Sequence, residues 1–337
     1  MRPPRRITYP VDENFIDNEL KAGEEVIVQF SNKTYDDKAL AHLNELCSRY
    51  DKNFAIRFYG FYSGAFDFNT LLKIPNVKNL YVDCLTKAEN INAIEQLQNL
   101  GKLSLGVYEL KETEILNSPN LKRLTELIIT DTRTKAFNLE YLKDYKDLKS
   151  LIISGHNKNI DAVGELSSLE YLSFNSIKKT PVDFVNKLRK LKTLKFILGG
   201  RENIHEIEEN EIEHLKIVWV RGFNDLSNIS NFKKLKTLLV EDNIQLPGIR
   251  FDKDLTYLED LKILNCKTLN SLTGLENLAS LKQLRIYKTA IEFDKLINQR
   301  LPKDLKTFAF YTNKQKVDNE IKQVLASKGF TDGLPTG

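Results

Sequence analysis

The same short pattern of apolar positions recurs along the chain: an apolar residue, two others, an apolar residue, one other, and a third apolar residue. Eleven copies are present, and their central residues lie 21 to 24 positions apart. These central residues are Leu80, Leu103, Leu127, Leu151, Leu172, Leu194, Leu215, Leu238, Leu261, Leu284 and Phe308. A looser copy occupies residues 54–58. Regular spacing of this kind predicts a repeat architecture of similar coils, one per copy.

Each copy also predicts a short β-strand. Its last two apolar residues alternate with other residues, so in extended chain both point to one face. One coil cannot bury this face alone, but stacked coils share a continuous core and pair their strands into a parallel sheet. The sequence therefore predicts an α/β solenoid with one strand in each coil.

Two copies match a longer motif, LxxLxLxxN/C, in which Asn243 and Cys266 take the last position. On this motif the chain resembles the leucine-rich repeat proteins over roughly residues 54–313. The segment that follows Leu269 looks like the repeats, about 22 residues long, of bacterial repeat proteins and phosphatase-regulatory subunits. The resemblance implies a horseshoe-shaped solenoid of about 11 to 12 coils with a concave parallel β-sheet.

Polar side chains at the last position of the motif form a ladder of hydrogen bonds between neighbouring coils. Several coils have another residue at this position, so the ladder is expected to be incomplete. At this position His156 is expected to bond to backbone groups rather than to act in catalysis. The other departures from the motif are Thr132, Ile177, Gly199 and Val220.

Both ends of the array need caps, because an open coil exposes apolar side chains and unpaired strand edges. A helix near the C-terminus is expected to turn Val317, Ile321, Val324 and Leu325 inward. No linker divides the chain, so one domain is predicted. This domain, residues 11–330, consists of a β-α-β cap (11–58), the repeats (59–313) and a helical cap (314–330), with a flexible tail before it (1–10) and a loose C-terminal tail after it (331–337).

Composition excludes several classes of protein. The 337 residues carry 50 basic and 46 acidic side chains, a net charge of +4, and only three cysteines. No apolar run reaches the ~20 residues that span a bilayer, and the basic N-terminus lacks the apolar segment of a secretory signal. Three cysteines do not make a disulfide framework, which favours a reducing compartment. We expect a soluble cytoplasmic protein, monomeric and without a membrane partner.

The sequence offers little catalytic chemistry. It contains no phosphate-binding loop, no GxSxG and no CxxC motif. One segment, residues 205–210, approaches a zinc-binding helix, but Glu209 stands where a second histidine is needed. Glu208, Glu209 and His214 could in principle complete such a site, although a solvated acidic loop accounts for them better. We expect no metal, no cofactor and no enzymatic activity.

The side chains between and just after the inward-pointing leucines are expected to line the concave face. These outward side chains are small, apolar and aromatic in the N-terminal half of the repeats and basic in the C-terminal half. Exposed apolar residues that lie side by side mark binding surfaces. The predicted partner-binding residues are Arg57, Tyr59, Tyr81, Asp83, Ile128, Ile152, Asn175, Lys195, Lys216, Trp219, Glu241, Lys262, Arg285, Tyr287, Lys288 and Tyr311.

The size of this face favours a protein partner. Eleven strands about 4.8 Å apart give a face about 50 Å long, which with a width of about 15 Å approaches the ~800 Å² that each partner buries in a standard interface. The basic half predicts a partner with an acidic patch. The resemblance to bacterial repeat proteins suggests an inhibitor or immunity protein against a toxin, and a regulatory subunit of an enzyme is the other role considered.

The alternative from another class is nucleic-acid binding. In that hypothesis lysines and arginines of the basic half contact phosphates while aromatic rings stack on bases. The net charge of +4 and the interposed Glu241 and Asp242 count against it, because phosphate binders carry an unbroken basic stripe. The residues concerned are Lys195, Lys216, Lys262, Arg285 and Lys288, with Trp219 and Tyr287 as stacking rings.

Overall fold

Every copy of the repeated pattern forms a β-strand in the computed structural model, which describes residues 3–333. The chain divides into two compact units, the first ending at Leu169 and the second beginning at Glu170. Each unit contains its own run of seven parallel strands, with short helices between most successive strands. The predicted single domain of residues 11–330 stays a prediction.

In the first unit the parallel strands follow the order β1-β2-β3-β5-β7-β8-β9, and β4 pairs with β6 in a separate two-stranded sheet. The strands are β1 (Arg5–Ile7), β2 (Val26–Ser31), β3 (Phe54–Tyr59), β4 (Ala65–Asp67), β5 (Asn79–Leu85), β6 (Lys87–Glu89), β7 (Lys102–Val107), β8 (Glu126–Ile129) and β9 (Ser150–Ser154).

Two α-helices precede the repeats of this unit, and both begin at an aspartate whose carboxylate accepts hydrogen bonds from first-turn N–H groups. They are α1 (Glu13–Lys21), capped by Asp12, and α2 (Asp37–Arg49), capped by Asp36. The repeats themselves carry 3₁₀-helices at Phe68–Lys73, Ile91–Gln96, Ile115–Asn117, Leu121–Arg123, Leu139–Asp144 and Ile160–Glu165.

In the second unit the parallel order is β10-β11-β12-β13-β15-β17-β18, and β14 pairs with β16. The strands are β10 (Tyr171–Asn175), β11 (Thr193–Ile197), β12 (His214–Val218), β13 (Thr237–Glu241), β14 (Gly248–Arg250), β15 (Asp260–Leu264), β16 (Ser271–Thr273), β17 (Gln283–Tyr287) and β18 (Thr307–Tyr311). The helices are α3 (Phe293–Ile297), α4 (Gln315–Ser327) and three 3₁₀-helices, Asp183–Lys187, Ser227–Asn231 and Leu275–Asn277.

The core lies on the side of each sheet that the repeated leucines face. In β12, for example, Leu215 and Ile217 are fully buried, whereas His214, Lys216 and Val218 are half-buried. The same alternation holds in β8, β9, β11, β13, β15 and β17. The predicted division of strand residues into inward and outward sets is therefore confirmed in these strands.

A ladder of polar groups joins neighbouring coils at the last motif position. The Asn243 amide donates to the carbonyl oxygen of Ile217 at 2.8 Å, and its oxygen accepts the Val220 N–H at 3.1 Å. In the next coil the Cys266 thiol lies 3.7 Å from the carbonyl oxygen of Val240, the equivalent acceptor. Burial raises the pKa of Cys266 to about 11, so this thiol stays neutral.

His156 takes the same place in the first unit. Its Nε2 lies 3.0 Å from the carbonyl oxygen of Thr130, and its Nδ1 lies 3.4 Å from the Phe137 N–H. The ring therefore donates from Nε2 and accepts at Nδ1, which is the neutral tautomer. The side chain is completely buried, and burial lowers its pKa. The predicted bonding of His156 to backbone groups is confirmed.

The N-terminal region differs from the prediction. Residues 1–10 are expected to form a tail, but Arg5–Ile7 form β1, whose Arg5 N–H donates to the carbonyl oxygen of Glu25 at 2.8 Å. This corrects that part of the prediction, since the backbone bonds to β2 fix the segment. Helix α1 then follows β1 and adds to the β-α-β arrangement of β2, α2 and β3.

The C-terminal helix is present but rotated from the predicted orientation. Ile321 and Leu325 are buried as predicted, whereas Val317 and Val324 are exposed. The reason is Asp318, whose carboxylate accepts both the N–H and the hydroxyl of Thr312 at 2.7 Å and turns that face inward.

Part of the predicted C-terminal tail is ordered against the sheet. Thr331 forms a parallel bridge with Thr307 on β18. Its N–H donates to the carbonyl oxygen of Lys306 at 2.9 Å. Residues 334–337 of that predicted tail lie outside the described residues.

Candidate binding surface

Each sheet has one face that points away from the core, and this face carries the predicted partner-binding residues. We call it the open face of the unit. Because the strands pair in exact register, equivalent side chains of successive coils form rows across it. What each row can bind depends on which of its side chains are already paired within the chain.

In the first unit the predicted residues of β3 and β5 bind one another. The Arg57 guanidinium donates to Asp83 at 2.7 Å and lies 4.7 Å above the Tyr59 ring. Ser104 donates its hydroxyl to the other oxygen of Asp83 at 3.1 Å, and Asp83 is only 8% exposed. The charges of Arg57 and Asp83 therefore neutralise each other within the sheet.

Tyr81 is held in the same way. Its hydroxyl donates to Glu25 at 3.0 Å, and Lys102 donates to the same carboxylate oxygen at 2.9 Å. Burial raises the pKa of Tyr81 to about 12. These bonds cross 56 and 77 positions of the chain, so the repeated pattern gave no sign of them.

Ile128 and Ile152 form an apolar pair on the open face of the first unit. They are direct partners in the register of β8 and β9, and both are half-buried. Their neighbours Ile129 and Ile153 face the core and are fully buried. The outward pair is therefore additional to the core, as the sequence predicts.

In the second unit, lysines lie side by side on the open face. Lys195 and Lys216 are register partners on β11 and β12, and Lys262 lies two strands further along, beyond Leu239. Lys195 donates to the Tyr171 hydroxyl at 2.5 Å and lies 4.6 Å above that ring. We call Lys195, Lys216 and Lys262 the lysine cluster.

The cluster carries positive charge that the surrounding carboxylates balance only in part, since Glu241 acts on Lys216 and Asp260 pairs with Lys262. Burial, and then the charges of Lys195 and Lys262, lower the pKa of Lys216. Lys262 pairs with Asp260 at 2.9 Å, but neither Lys195 nor Lys216 has an ion-pair partner among residues 3–333. A shallow depression over these side chains is also lined by His214. An incoming anion would relieve this repulsion.

Three of the remaining predicted residues near the C-terminus, Arg285, Tyr287 and Tyr311, already bond to other residues of the chain. Arg285 pairs with Asp260 at 3.0 Å and donates to the carbonyl oxygen of Gly333 at 2.8 Å. The Tyr287 hydroxyl donates to Asn313 at 3.1 Å, and the Tyr311 hydroxyl donates to Asp332.

Two polar residues complete the predicted set on the strands of the second unit. Asn175 accepts the Ser173 hydroxyl at 2.9 Å, so its oxygen is used locally. Glu241 lies in register between Val218 and Leu264, which places a negative charge beside apolar side chains.

The residue four positions after the central leucine lies in most coils in the turn that follows the strand, and it often adopts left-handed backbone geometry. Such positions favour glycine, asparagine and aspartate. The residues with this geometry are Cys84, Gly155, Ser176, Leu198, Trp219, Asp242, Asn265 and Lys288. Leu198 and Trp219, at φ +60° and +51°, are the large apolar members of this set.

These two residues are also exposed. Trp219 is 65% exposed and Leu198 41%, and Ile244 after β13 is 57% exposed. Together they border one cavity, with Asp242 and Arg221 also in its lining. We call Leu198, Trp219 and Ile244 the apolar rim. Trp219 was predicted from the sequence, whereas Leu198 and Ile244 were not. A signal was present, because Gly155, Asp242 and Asn265 at the same position as Leu198 and Trp219 indicate a left-handed turn there.

One cluster on the chain carries residues typical of catalysis. The Ser227 hydroxyl lies 3.0 Å from His205 Nε2, and an oxygen of Asp225 lies 3.3 Å from the same nitrogen. A catalytic triad requires the carboxylate on Nδ1 and the hydroxyl on Nε2, so this arrangement does not have triad geometry.

The described residues offer neither a metal site nor a membrane span. No group of three or more histidine, cysteine, aspartate or glutamate side chains among residues 3–333 is placed to hold a metal ion. Within the same range, no helix combines the length and the apolar character that a bilayer crossing requires.

Comparison with known proteins identifies the fold. No protein-family model and no curated protein matches the chain. Among solved structures, an internalin (InlF) of Listeria monocytogenes matches with a TM-score of 0.53 and 17% identity, over 75% of this chain and 77% of that one. The chain has the leucine-rich repeat fold. A second internalin of that organism (InlC2) matches at a TM-score of 0.43 and 17% identity, over 60% of this chain and 92% of that one.

The predicted leucine-rich repeat fold is thus confirmed. Leucine-rich repeat proteins are typically protein-interaction scaffolds and are usually non-enzymatic. In this repeat protein the candidates for interaction are the Ile128–Ile152 pair of the first unit and, in the second unit, the lysine cluster and the apolar rim.

Proposed function

We propose that this leucine-rich repeat protein is a non-enzymatic scaffold that binds a specific protein partner through its open sheet faces and the turns that follow their strands. Support comes from apolar side chains that stand on these faces without contributing to the core. Side chains of this kind mark interfaces, because exposed apolar surface is costly in water unless a partner covers it.

The observation that carries the proposal is Trp219. It is the only tryptophan of the chain, it is 65% exposed, and it occupies a left-handed turn that favours glycine or asparagine. Neither burial nor turn geometry accounts for a tryptophan here, whereas tryptophan is among the side chains that dominate protein interfaces.

Charge defines the partner further. The lysine cluster holds Lys195 and Lys216 close together without ion-pair partners in the described part of the chain. A partner with an acidic patch would pair with these charges and gain association rate from electrostatic steering. The role follows from such binding, either as an inhibitor or immunity protein for a toxin or as a regulatory subunit of an enzyme. A gene neighbour encoding a toxin, and a complex that scarcely dissociates, would favour the first role.

Nucleic-acid binding is the second candidate, and the lysine cluster is the observation that favours it. Three lysines could contact phosphates while Trp219 stacks on a base. However, Asp260 already pairs with both Lys262 and Arg285, and Glu241 interrupts the row beside the cluster. The positive surface is therefore confined to a few coils, which suits an acidic protein patch better than a phosphate backbone.

Affinity capture from a lysate of the source organism tests the proposal. The full chain is immobilised, washed at low and at high salt, and the retained material is identified by mass spectrometry. We expect one protein in stoichiometric amount that persists at high salt. Nucleic acid, or a mixture that washes off at high salt, would instead favour the second candidate.

A further inference from the structure

Resting on the proposed function, we infer that the second unit contains a two-part docking site for an acidic segment of a protein, with the lysine cluster binding its carboxylates and the apolar rim binding one large apolar side chain. The two parts lie on the same coils. Lys195 and Leu198 belong to one coil, and Lys216 and Trp219 belong to the next.

The apolar part of the site is set by an unusual choice of residues. Of the coils with a left-handed residue at the fourth position after the central leucine, the others use Cys84, Gly155, Ser176, Asp242, Asn265 or Lys288 there. Leu198 and Trp219 are the two large apolar side chains at this position and stand in successive coils, and Ile244 lies beside them at the next one. Large apolar side chains that stay exposed at an unfavourable backbone geometry twice in succession indicate a surface kept for binding.

The charged part sets the sign of the ligand. Within the described residues Lys195 and Lys216 have no ion-pair partner, and their register places them side by side on adjacent strands. A carboxylate placed between them would pair with both. Thr193, Thr237 and Asp260 also line the depression, and Asp260 is already paired with Lys262 and Arg285.

The spacing of the two parts defines the bound segment. Each lysine precedes its rim residue by three positions, which corresponds to roughly 10 Å along a strand. A carboxylate and a large apolar side chain about 10 Å apart are separated by three residues in extended chain or by about seven in a helix. The apolar row between them, Ile197 and Val218, would contact the intervening backbone.

Acidic protein is favoured over nucleic acid by the carboxylates on the coils that follow Lys216. Glu241 and Asp242 lie on the next coil, and Asp260 lines the depression and pairs with Lys262 on the coil after that. A phosphate chain that crossed the coils would meet these carboxylates, whereas a short acidic segment that runs along β11 and β12 stays on the coils before them. Aliphatic side chains at Leu198 and Ile244 also suit an apolar side chain better than a stacked base.

Selection from a random library of short displayed peptides, with the full chain as bait, tests the inference. Enriched peptides are synthesised with a fluorescent label, and their affinities are measured by anisotropy. We expect them to share acidic residues and one large apolar residue. The rim variant Leu198→Asn/Trp219→Asn and the cluster variant Lys195→Gln/Lys216→Gln/Lys262→Gln should each weaken binding about tenfold or more, as loss of an interface anchor does.

Matched controls separate binding from folding. Tyr257→Ala removes another exposed aromatic ring, and Lys282→Gln removes another lysine, one that pairs with Glu259 outside the site. Both controls should leave peptide affinity unchanged. Circular dichroism should show that no variant melts below the wild type, because none of the substituted side chains belongs to the core.

The outcomes distinguish this inference from the broader proposal. If the variant Ile128→Thr/Ile152→Thr abolishes peptide binding while the rim and cluster variants do not, the open face binds protein but the two-part site is wrong. Enriched peptides without acidic residues, or no enriched peptide at all, would also overturn the inference. A labelled single-stranded oligonucleotide that binds wild type but not the cluster variant would overturn both in favour of nucleic acid.

Discussion

Lys195 and Lys216 are direct register partners on adjacent parallel strands of the second unit. Like charges directly opposite one another destabilise a sheet. Here the proximity of Lys195 is one of the causes, after burial, that lower the pKa of Lys216. The protein thus keeps two neighbouring lysines that repel each other on the open face of the second unit. The carboxylates of the proposed acidic partner would pair with both and make this arrangement favourable.

The first prediction concerns stability. Lys216→Gln removes the repulsion, so we expect the free energy of unfolding to stay equal or rise by about 0.5 kcal/mol or less. Any gain should shrink with added salt, which screens the repulsion. Chemical denaturation measures this. Lys102→Gln is the matched control and should destabilise, because Lys102 pairs with Glu25 at 2.9 Å. A clear loss of stability in Lys216→Gln would contradict the account.

The second prediction separates the apolar rim from the core. Trp219→Asn places a residue that tolerates left-handed geometry at φ +51°. Since that geometry costs a bulky residue about 1 kcal/mol, we expect the melting temperature to stay constant or rise. The converse change Ser176→Leu, at φ +55°, introduces this cost and should lower the melting temperature. If Trp219→Asn unfolds the protein, Trp219 has a structural role and its assignment to the binding surface is wrong.

The third prediction concerns the ladder between coils. Asn243→Ala leaves the buried Val220 N–H without its acceptor and removes the amide bonds to the carbonyl oxygens of Ile217 and Glu241, which should cost about 1–3 kcal/mol. Cys266→Ala removes only weak contacts of a thiol at 3.5–3.7 Å and should cost less. Denaturant titration of the two variants side by side gives the comparison. Equal losses of stability in the two variants would mean that side-chain volume, not hydrogen bonding, determines how much this position contributes.

The fourth prediction is a dependence of stability on pH. Burial lowers the pKa of His156 in the folded state, so below the ordinary value of 6.5 the unfolded chain takes up the proton first. Stability is therefore full above pH 6.5 and should fall as the pH drops from there towards 5, by up to about 1.4 kcal/mol per pH unit.

The variant His156→Asn checks that assignment. Asparagine occupies the same ladder position in another coil, as Asn243, and it does not titrate. Thermal denaturation across this pH range should show a flatter profile for His156→Asn than for the wild type. His214→Asn is a useful comparison, since burial lowers that pKa as well but its ring is only half-buried. Identical profiles for wild type and His156→Asn would show that His156 does not cause the loss.

Much of the fold could be predicted because the repeat imposes it. Alternation of buried and outward positions decides which residues face the core, and eleven copies make that alternation easy to recognise. The N-terminal strand Arg5–Ile7 escaped prediction because it is three residues long and owes its structure to pairing with β2. Likewise, the face of α4 was assigned wrongly because Asp318 is buried through its bonds to Thr312.

The binding surface was harder to predict, for a physical reason. A sequence pattern shows which side chains point outward but not which of them pair with one another. Arg57 and Asp83 satisfy each other, and Arg285 is held by Asp260 and the carbonyl group of Gly333, so outward position alone overestimates their availability. Leu198 was missed because the repeated motif places no requirement on the turn that it occupies.

The measurement that tests the central claim most directly is a lysine-reactivity footprint of the full chain, with and without the protein obtained by affinity capture. An acylating reagent labels accessible lysines, and mass spectrometry quantifies each one. We predict that Lys195, Lys216 and Lys262 lose reactivity in the complex while Lys233 and Lys282, outside the open face, keep theirs. Protection confined to Lys233 and Lys282, with the three cluster lysines fully reactive, would contradict binding through the open sheet face.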